Sequence, residues 1–186
     1  MRWPVSILSV LGIVAMLSGC SRNGGREGQP ESTAKLAPAG NAAVSVEGLD
    51  EAGLKRLIEN RAGRILFLNV WATWCVACVE EFPDIVKLSR SYDPNRLEVV
   101  AISTDYPDEV DSKIVPFLRK QNVPFKVYVA KFDDQEKFIN ALDTAWSGAL
   151  PATFIYDTQG HQRFKLVGQG SYGRFKQEIE KLRNAP

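Results

Sequence analysis

The stretch WATWCVACVEEFP, residues 71–83, holds two cysteines separated by two residues, Cys75 and Cys78. Thiols at that spacing can clamp a metal, close a structural staple or trade a pair of electrons. Beside a strand-to-helix pattern, a C-x-x-C favours the third. Cys75 stands where an apolar run ends and a helix is expected to begin, so unpaired backbone N–H groups and the helix dipole favour its thiolate. Such placement lowers a thiol pKa from about 8.5 into a window of about 3.5–7.5, and the thiolate is the attacking species. Cys78 falls one helical turn later, pointing inward and close enough to reach the Cys75 sulfur. Cys75 is therefore expected to attack a disulfide, and Cys78 to resolve the mixed disulfide that forms. Trp71 and Trp74 are expected to cover the pair with apolar surface, with plain packing as the alternative for either.

Other chemistry finds few residues. The single histidine, His161, gives one competing reading, a copper carrier built from Cys75, Cys78 and one imidazole. His161 sits in an expected hairpin turn, away from the pair, and a structural zinc site wants four ligands. No nucleotide or flavin motif is present, so no cofactor and no metal are expected and the cysteines form the whole redox apparatus. With 23 basic against 22 acidic residues, the charge describes a mixed solvated surface and gives no ground for nucleic acid as a partner.

The elements that must position the pair follow from periodicity. In LDEAGLKRLIENRAG, Leu54, Leu57 and Ile58 share a helix face, with Asp50 as N-cap and Gly63 as stop. RILFLNV, residues 64–70, is a continuous apolar run, as expected of a strand buried on both faces. The helix after the cysteines should turn Val79, Phe82, Ile85 and Val86 inward. Further strands are expected at 97–104 and 125–130, with a helix between them carrying Pro116 near its first turns. DQEKFINALD reads as a short helix. Residues 152–157 and 161–168 form a hairpin across TQG, and SYGRFKQEIEKLRN closes the chain as a helix with Phe175, Ile179 and Leu182 inward. Alternating strands and helices imply parallel pairing, with the hairpin adding antiparallel strands. The expected architecture is a three-layer α/β/α sandwich around a mixed sheet.

The first 43 residues read differently. Arg2 precedes an apolar run from Val5 to Leu17, shorter than the roughly 20 residues of a bilayer span, and small residues follow. This is the pattern of a secretory signal, residues 1–19. LSGC, residues 17–20, resembles the lipobox of bacterial lipoproteins, which implies lipidation of Cys20. The alternative is an ordinary signal cut elsewhere, with Cys20 left as a free thiol. Lipidation would leave Cys75 and Cys78 as a closed pair in a compartment where disulfides persist. Several acyl chains would anchor the protein to the membrane of the cell envelope, with its domain in the periplasm. Residues 20–43, rich in Gly, Ala, Pro and Ser, read as a tether, and residues 44–186 as one domain.

FLNVWATWCVACVEEFP resembles the active site of the thioredoxin superfamily, in its membrane-tethered TlpA/ResA-like branch, whose pattern runs N-F-W-A-T-W-C-x-x-C-x-x-E-x-P. GALPATFIYDTQG matches the branch again further along, in the right order. The resemblance implies a thioredoxin-like fold and a thiol–disulfide oxidoreductase acting on exported proteins, among them apocytochrome c in cytochrome maturation. It implies electrons from a membrane thiol donor of the DsbD/CcdA type. It makes Pro151 a cis-proline facing the cysteines, with the Leu150 backbone exposed to pair with substrate and Trp74 beside it. It gives Glu81 the place of an acidic residue near the site, managing the proton of Cys78, with a solvated helix glutamate as the alternative. Ordinary thioredoxins carry a buried aspartate where this chain has Asn69, which cannot take a proton. Pro83 falls where the family kinks its active-site helix. Val76-Ala77 departs from the proline-containing pairs of the superfamily, leaving the direction of electron flow open between a reductase and an oxidase or isomerase.

Overall fold

The computed structural model describes residues 45–184. The signal, Cys20 and the tether lie outside them. Six strands and five helices follow in the order β1 (Val46–Leu49), α1 (Glu51–Glu59), β2 (Ile65–Trp71), α2 (Val76–Arg90), β3 (Leu97–Ser103), α3 (Val115–Gln121), β4 (Lys126–Ala130), α4 (Gln135–Leu142), β5 (Ala152–Tyr156), β6 (Gln162–Val167) and α5 (Tyr172–Arg183). The sheet runs β1-β4-β3-β2-β5-β6. Its first four strands are parallel, and β5 and β6 are antiparallel additions.

Two layers of helix cover the sheet, and strand alternation decides which residue meets which layer. Leu66, Leu68 and Val70 of β2 pack with Leu54 of α1 and Phe138 and Leu142 of α4. Phe67 faces the other way, onto Ile85 and Leu88 of α2 and Phe175 and Ile179 of α5. Trp71 has the same parity and packs with Phe82, Val86 and Leu118. All seven residues of β2 are buried, which is what a continuous apolar run in the centre of a doubly covered sheet requires.

Four local expectations are corrected. The short edge strand β1 was not expected; its burial alternates poorly, and parallel pairing to β4 supplies what its sequence does not announce. Helix α1 is capped by Asp50 but ends at Glu59, before Gly63, which instead takes φ 77 in the following turn beside Ala62 at φ 48. Val79 is only half-buried; the inward position on that turn of α2 belongs to Glu81. Ahead of α3, a 3₁₀ turn (Pro107–Glu109) and a π turn (Val110–Ile114) precede Pro116, which sits in the first turn of α3, so the expected helix begins as a π turn rather than as α-helix.

Candidate active site

The active-site segment leaves the carboxyl end of β2 at the centre of the sheet and enters α2. Cys75 is the N-cap, with φ −87 and ψ 104, and its Sγ accepts the Cys78 backbone N–H at 3.2 Å. One of the orphan donors of the helix terminus is thereby aimed at sulfur, the arrangement that favours negative charge there. The two cysteines are joined as a disulfide, with Cα atoms 5.2 Å apart. Cys75 keeps 9% of its surface exposed and Cys78 only 1%. That asymmetry decides which sulfur an incoming polypeptide can reach: Cys75.

The two tryptophans take opposite roles. Trp71 is fully buried, with ring centroids 4.6 Å from Phe82 and 5.0 Å from Phe117, so it packs beneath the pair rather than covering it. Trp74 is 65% exposed at the rim.

Across the motif, the Leu150–Pro151 peptide bond is cis, as the resemblance implies. Ala152, the next residue, pairs with Val70, so the turn stands beside the end of β2. Leu150 packs against the cluster holding both cysteines. Trp146 steadies this approach: its Nε1–H donates to the Ala149 carbonyl at 3.0 Å, and its ring packs on Phe154.

Glu81 is the feature that sequence left most open, and it is buried, only 2% exposed. It lies one turn beyond Cys78 on the sheet-facing side of α2. Its Oε1 accepts from Asn69 Nδ2 at 2.7 Å and its Oε2 from the Gly170 N–H at 2.5 Å. Asn69 also donates to Thr153 Oγ1 at 3.1 Å, and the two residues are direct partners across β2 and β5. Burial pushes the Glu81 carboxyl above its usual value of 4.5, only partly offset by the bonds from Gly170 and Asn69, and the nearby charge of Asp84 adds to the rise. The solvated alternative belongs to its neighbour Glu80, which is exposed. Asn69, which cannot itself take a proton, holds the carboxylate that can.

Gly170 reaches Glu81 because it has no side chain. A Cβ there would stand 2.3 Å from the Phe175 ring, so any larger residue would push the β6–α5 loop off the carboxylate.

Sequence reasoning missed Asp105. This buried carboxylate accepts the Thr73 backbone N–H at 2.9 Å, the Thr73 hydroxyl at 2.5 Å and the Ser103 hydroxyl at 2.5 Å. Thr104 N–H donates to the Trp71 carbonyl at 2.9 Å beside it. Together these contacts bracket the two residues ahead of Trp74-Cys75 against the end of β3. The available signal was position: an acidic residue just past the carboxyl end of a parallel strand, where α/β folds gather functional groups.

His161 lies in the β5–β6 turn beside Asp157, its Nδ1 3.5 Å from Asp157 Oδ2. The strand register puts that turn at the opposite end of β5 from Pro151, five residues or about 15 Å along the sheet, so the three proposed copper ligands do not converge.

Comparison with known proteins agrees with this geometry. Residues 39–164 match the model of the AhpC/TSA family. A thiol-disulfide oxidoreductase ResA of Bacillus cereus is 26% identical over 133 residues, 72% of this chain and 72% of that protein. The thioredoxin-like protein YneN of Bacillus subtilis (strain 168) is 30% identical over 128 residues, 69% of this chain and 71% of that protein. Among solved structures, a thiol:disulfide interchange protein of Chlorobium tepidum TLS superposes with TM-score 0.56 at 21% identity, over 66% of this chain and 82% of that one. A thiol-disulfide isomerase from Corynebacterium glutamicum gives TM-score 0.58 at 17% identity, over 69% and 86%. These last two speak for the thioredoxin-like fold.

Proposed function

We propose, given that the chain belongs to the AhpC/TSA family and is a thiol–disulfide oxidoreductase of the ResA type, that it works outside the cytoplasm as a reductant of disulfides in exported proteins. The observation that carries the reading is the asymmetry of the cysteine pair, one sulfur reachable at a helix N-terminus and the other sealed behind it, one turn from a buried carboxyl.

In the reduced protein, the Cys75 thiolate attacks one sulfur of a substrate disulfide. A bond forms between Cys75 and that sulfur, and the other substrate sulfur leaves as a thiolate and takes a proton from water. The Leu150 backbone and Trp74 hold the substrate segment beside the nucleophile. Cys78, having passed its proton to Glu81, attacks the Cys75 sulfur, and the second substrate sulfur leaves as a thiolate that takes the proton back from Glu81. The protein is left oxidised, with the Cys75–Cys78 disulfide closed. Two electrons have moved to the substrate, and two must return. A membrane thiol donor of the DsbD/CcdA type fits that need, because no soluble thiol buffer poises such a compartment. The location is supported by the signal-like start and LSGC, and apocytochrome c cysteines are one substrate class of this kind.

Equilibration with glutathione, read by tryptophan fluorescence, tests the direction. A reductant should titrate near the thioredoxin end of the scale, about −270 mV; a midpoint near the oxidant end, about −120 mV, reverses the reading. Variants test the roles. Cys75→Ser should abolish turnover, whereas Cys78→Ser should accumulate a mixed disulfide on Cys75, visible by mass. Trapping on Cys78 in the Cys75→Ser protein would invert the assignment.

A further inference from the structure

Next to the cysteine motif the surface opens into a groove of about 540 Å³, within the 300–1,000 Å³ range of ligand sites. It runs from Trp74 and Leu150, which flank the active site, to the loop after β3 on one side and α4 on the other. Its lining is mostly apolar. Trp74 and Tyr106 are 65% and 73% exposed, and Phe132 and Ile139 supply half-buried surface beyond them. Large aromatic side chains left in water beside a nucleophile mark a place where something apolar is received.

Charge narrows what that is. Three acids line the groove, Asp105, Asp133 and Asp134, against one base, Lys131. Asp105 is spent inside on Thr73 and Ser103, and Asp134 caps α4 by accepting the Lys137 N–H at 2.7 Å. Asp133, two residues ahead of α4, has its side chain 89% exposed and pairs with Lys137 at 3.1 Å, a solvent-exposed ion pair weak enough to exchange partners. The groove therefore has an apolar bed and, on its α4 side, a carboxylate that faces solvent.

We propose that this groove selects the substrate: an extended polypeptide segment that places its disulfide at Cys75, a bulky apolar side chain on the bed between Trp74 and Ile139, and a lysine or arginine against Asp133. The inference rests on the reading that Cys75 reduces polypeptide disulfides, and adds which segments it takes. The groove continues the active-site surface through Trp74 and Leu150, so one extended chain can reach both.

The test uses the full-length reduced protein and a set of disulfide peptides identical except near the cysteine. Leu is exchanged for Ser, and Lys for Glu, at each of the four positions on either side. Every kcat/KM is divided by the rate of the same preparation with hydroxyethyl disulfide, a small neutral substrate, which removes any loss of folded protein. The Leu/Lys peptides should exceed the Ser/Glu peptides by about tenfold or more at one register, the scale on which a pocket discriminates apolar groups. Asp133→Lys should reverse the Lys/Glu order, and Ile139→Ser should erase the Leu/Ser difference. Equal normalised rates for all peptides, or preferences that survive both substitutions, would overturn the groove while leaving the reductase intact. A protein inert to hydroxyethyl disulfide as well would sink the reductase reading and this one with it.

Discussion

Glu81 is the proposed proton carrier of the site, because a carboxyl buried among apolar side chains resists ionisation while both of its oxygens sit where donors favour the anion. In the proposed exchange it would alternate between those forms. Replacing it with glutamine keeps the bond to Gly170 possible and removes the titration. Glu81→Gln should slow disulfide exchange on the order of 10²-fold and flatten the pH–rate profile on its acidic side, as loss of a general acid–base does. A profile unchanged in shape would make the carboxyl structural only. Stability gives a second reading with a fixed sign. The native carboxyl titrates above its unfolded value of 4.5, so the folded state binds the extra proton. Its contribution is full below that value and is lost as pH rises through the higher native one. Wild type should therefore lose ground to Glu81→Gln in urea melts on going from pH 4 to pH 8. The sequence showed Glu81 as one of two adjacent glutamates, and the resemblance favoured it by motif position without showing that it is buried. Its burial comes from the turn of α2, which leaves Glu80 in water and presses Glu81 onto Asn69.

Among elements, the loop between β2 and α2 is held by β3 rather than by its own conformation. Asp105 takes three hydrogen bonds from Thr73 and Ser103, so the loop's position is set by a strand over thirty residues away in sequence. Asp105→Ala leaves two hydroxyls, those of Ser103 and Thr73, and the Thr73 N–H without their acceptor, at about 1–3 kcal/mol for such a buried group. Chemical denaturation should register that loss, and the Cys75–Cys78 disulfide should become faster to reduce by dithiothreitol as the loop frees. No change in either would mean that water replaces the carboxylate. Strong periodic elements were legible: β2 from its apolar run, α5 from the inward Phe175 and Ile179, and the β5–β6 hairpin from its turn. Gly160 at φ 85 makes that turn, and its missing Cβ lets the Ile58 carbonyl approach. Illegible were β1, whose four residues carry too little pattern, and the end of α1, which stops at Asn60 on backbone capping rather than at a glycine.

At the scale of the whole molecule, anchoring is the untried proposal. No helix among the described residues is long and apolar enough to cross a membrane. The proposed attachment is by acyl chains at Cys20. In bacteria fed labelled palmitate, the full chain should take up label and fractionate with membranes, while Cys20→Ala should do neither. Labelling that persists without Cys20 would place the modification elsewhere. The thiol chemistry was written in one short segment, since C-x-x-C after a buried strand needs only local spacing to put one sulfur at a helix terminus and the other a turn behind it. Parallel pairing closed by an antiparallel hairpin followed from hydrophobic periods, which are local as well, whereas the strand order and the edge strand β1 did not. What surrounds the sulfurs was not local. Asn69, Thr153, Gly170 and Asp105 reach the site from four different segments, brought there by strand parity and register. The groove exists because α4 and the loop after β3 stop short of each other beside Trp74. Burial and hydrogen bonding between distant segments depend on how layers pack, a property that no single stretch of chain encodes, and so only the tertiary structure decided them.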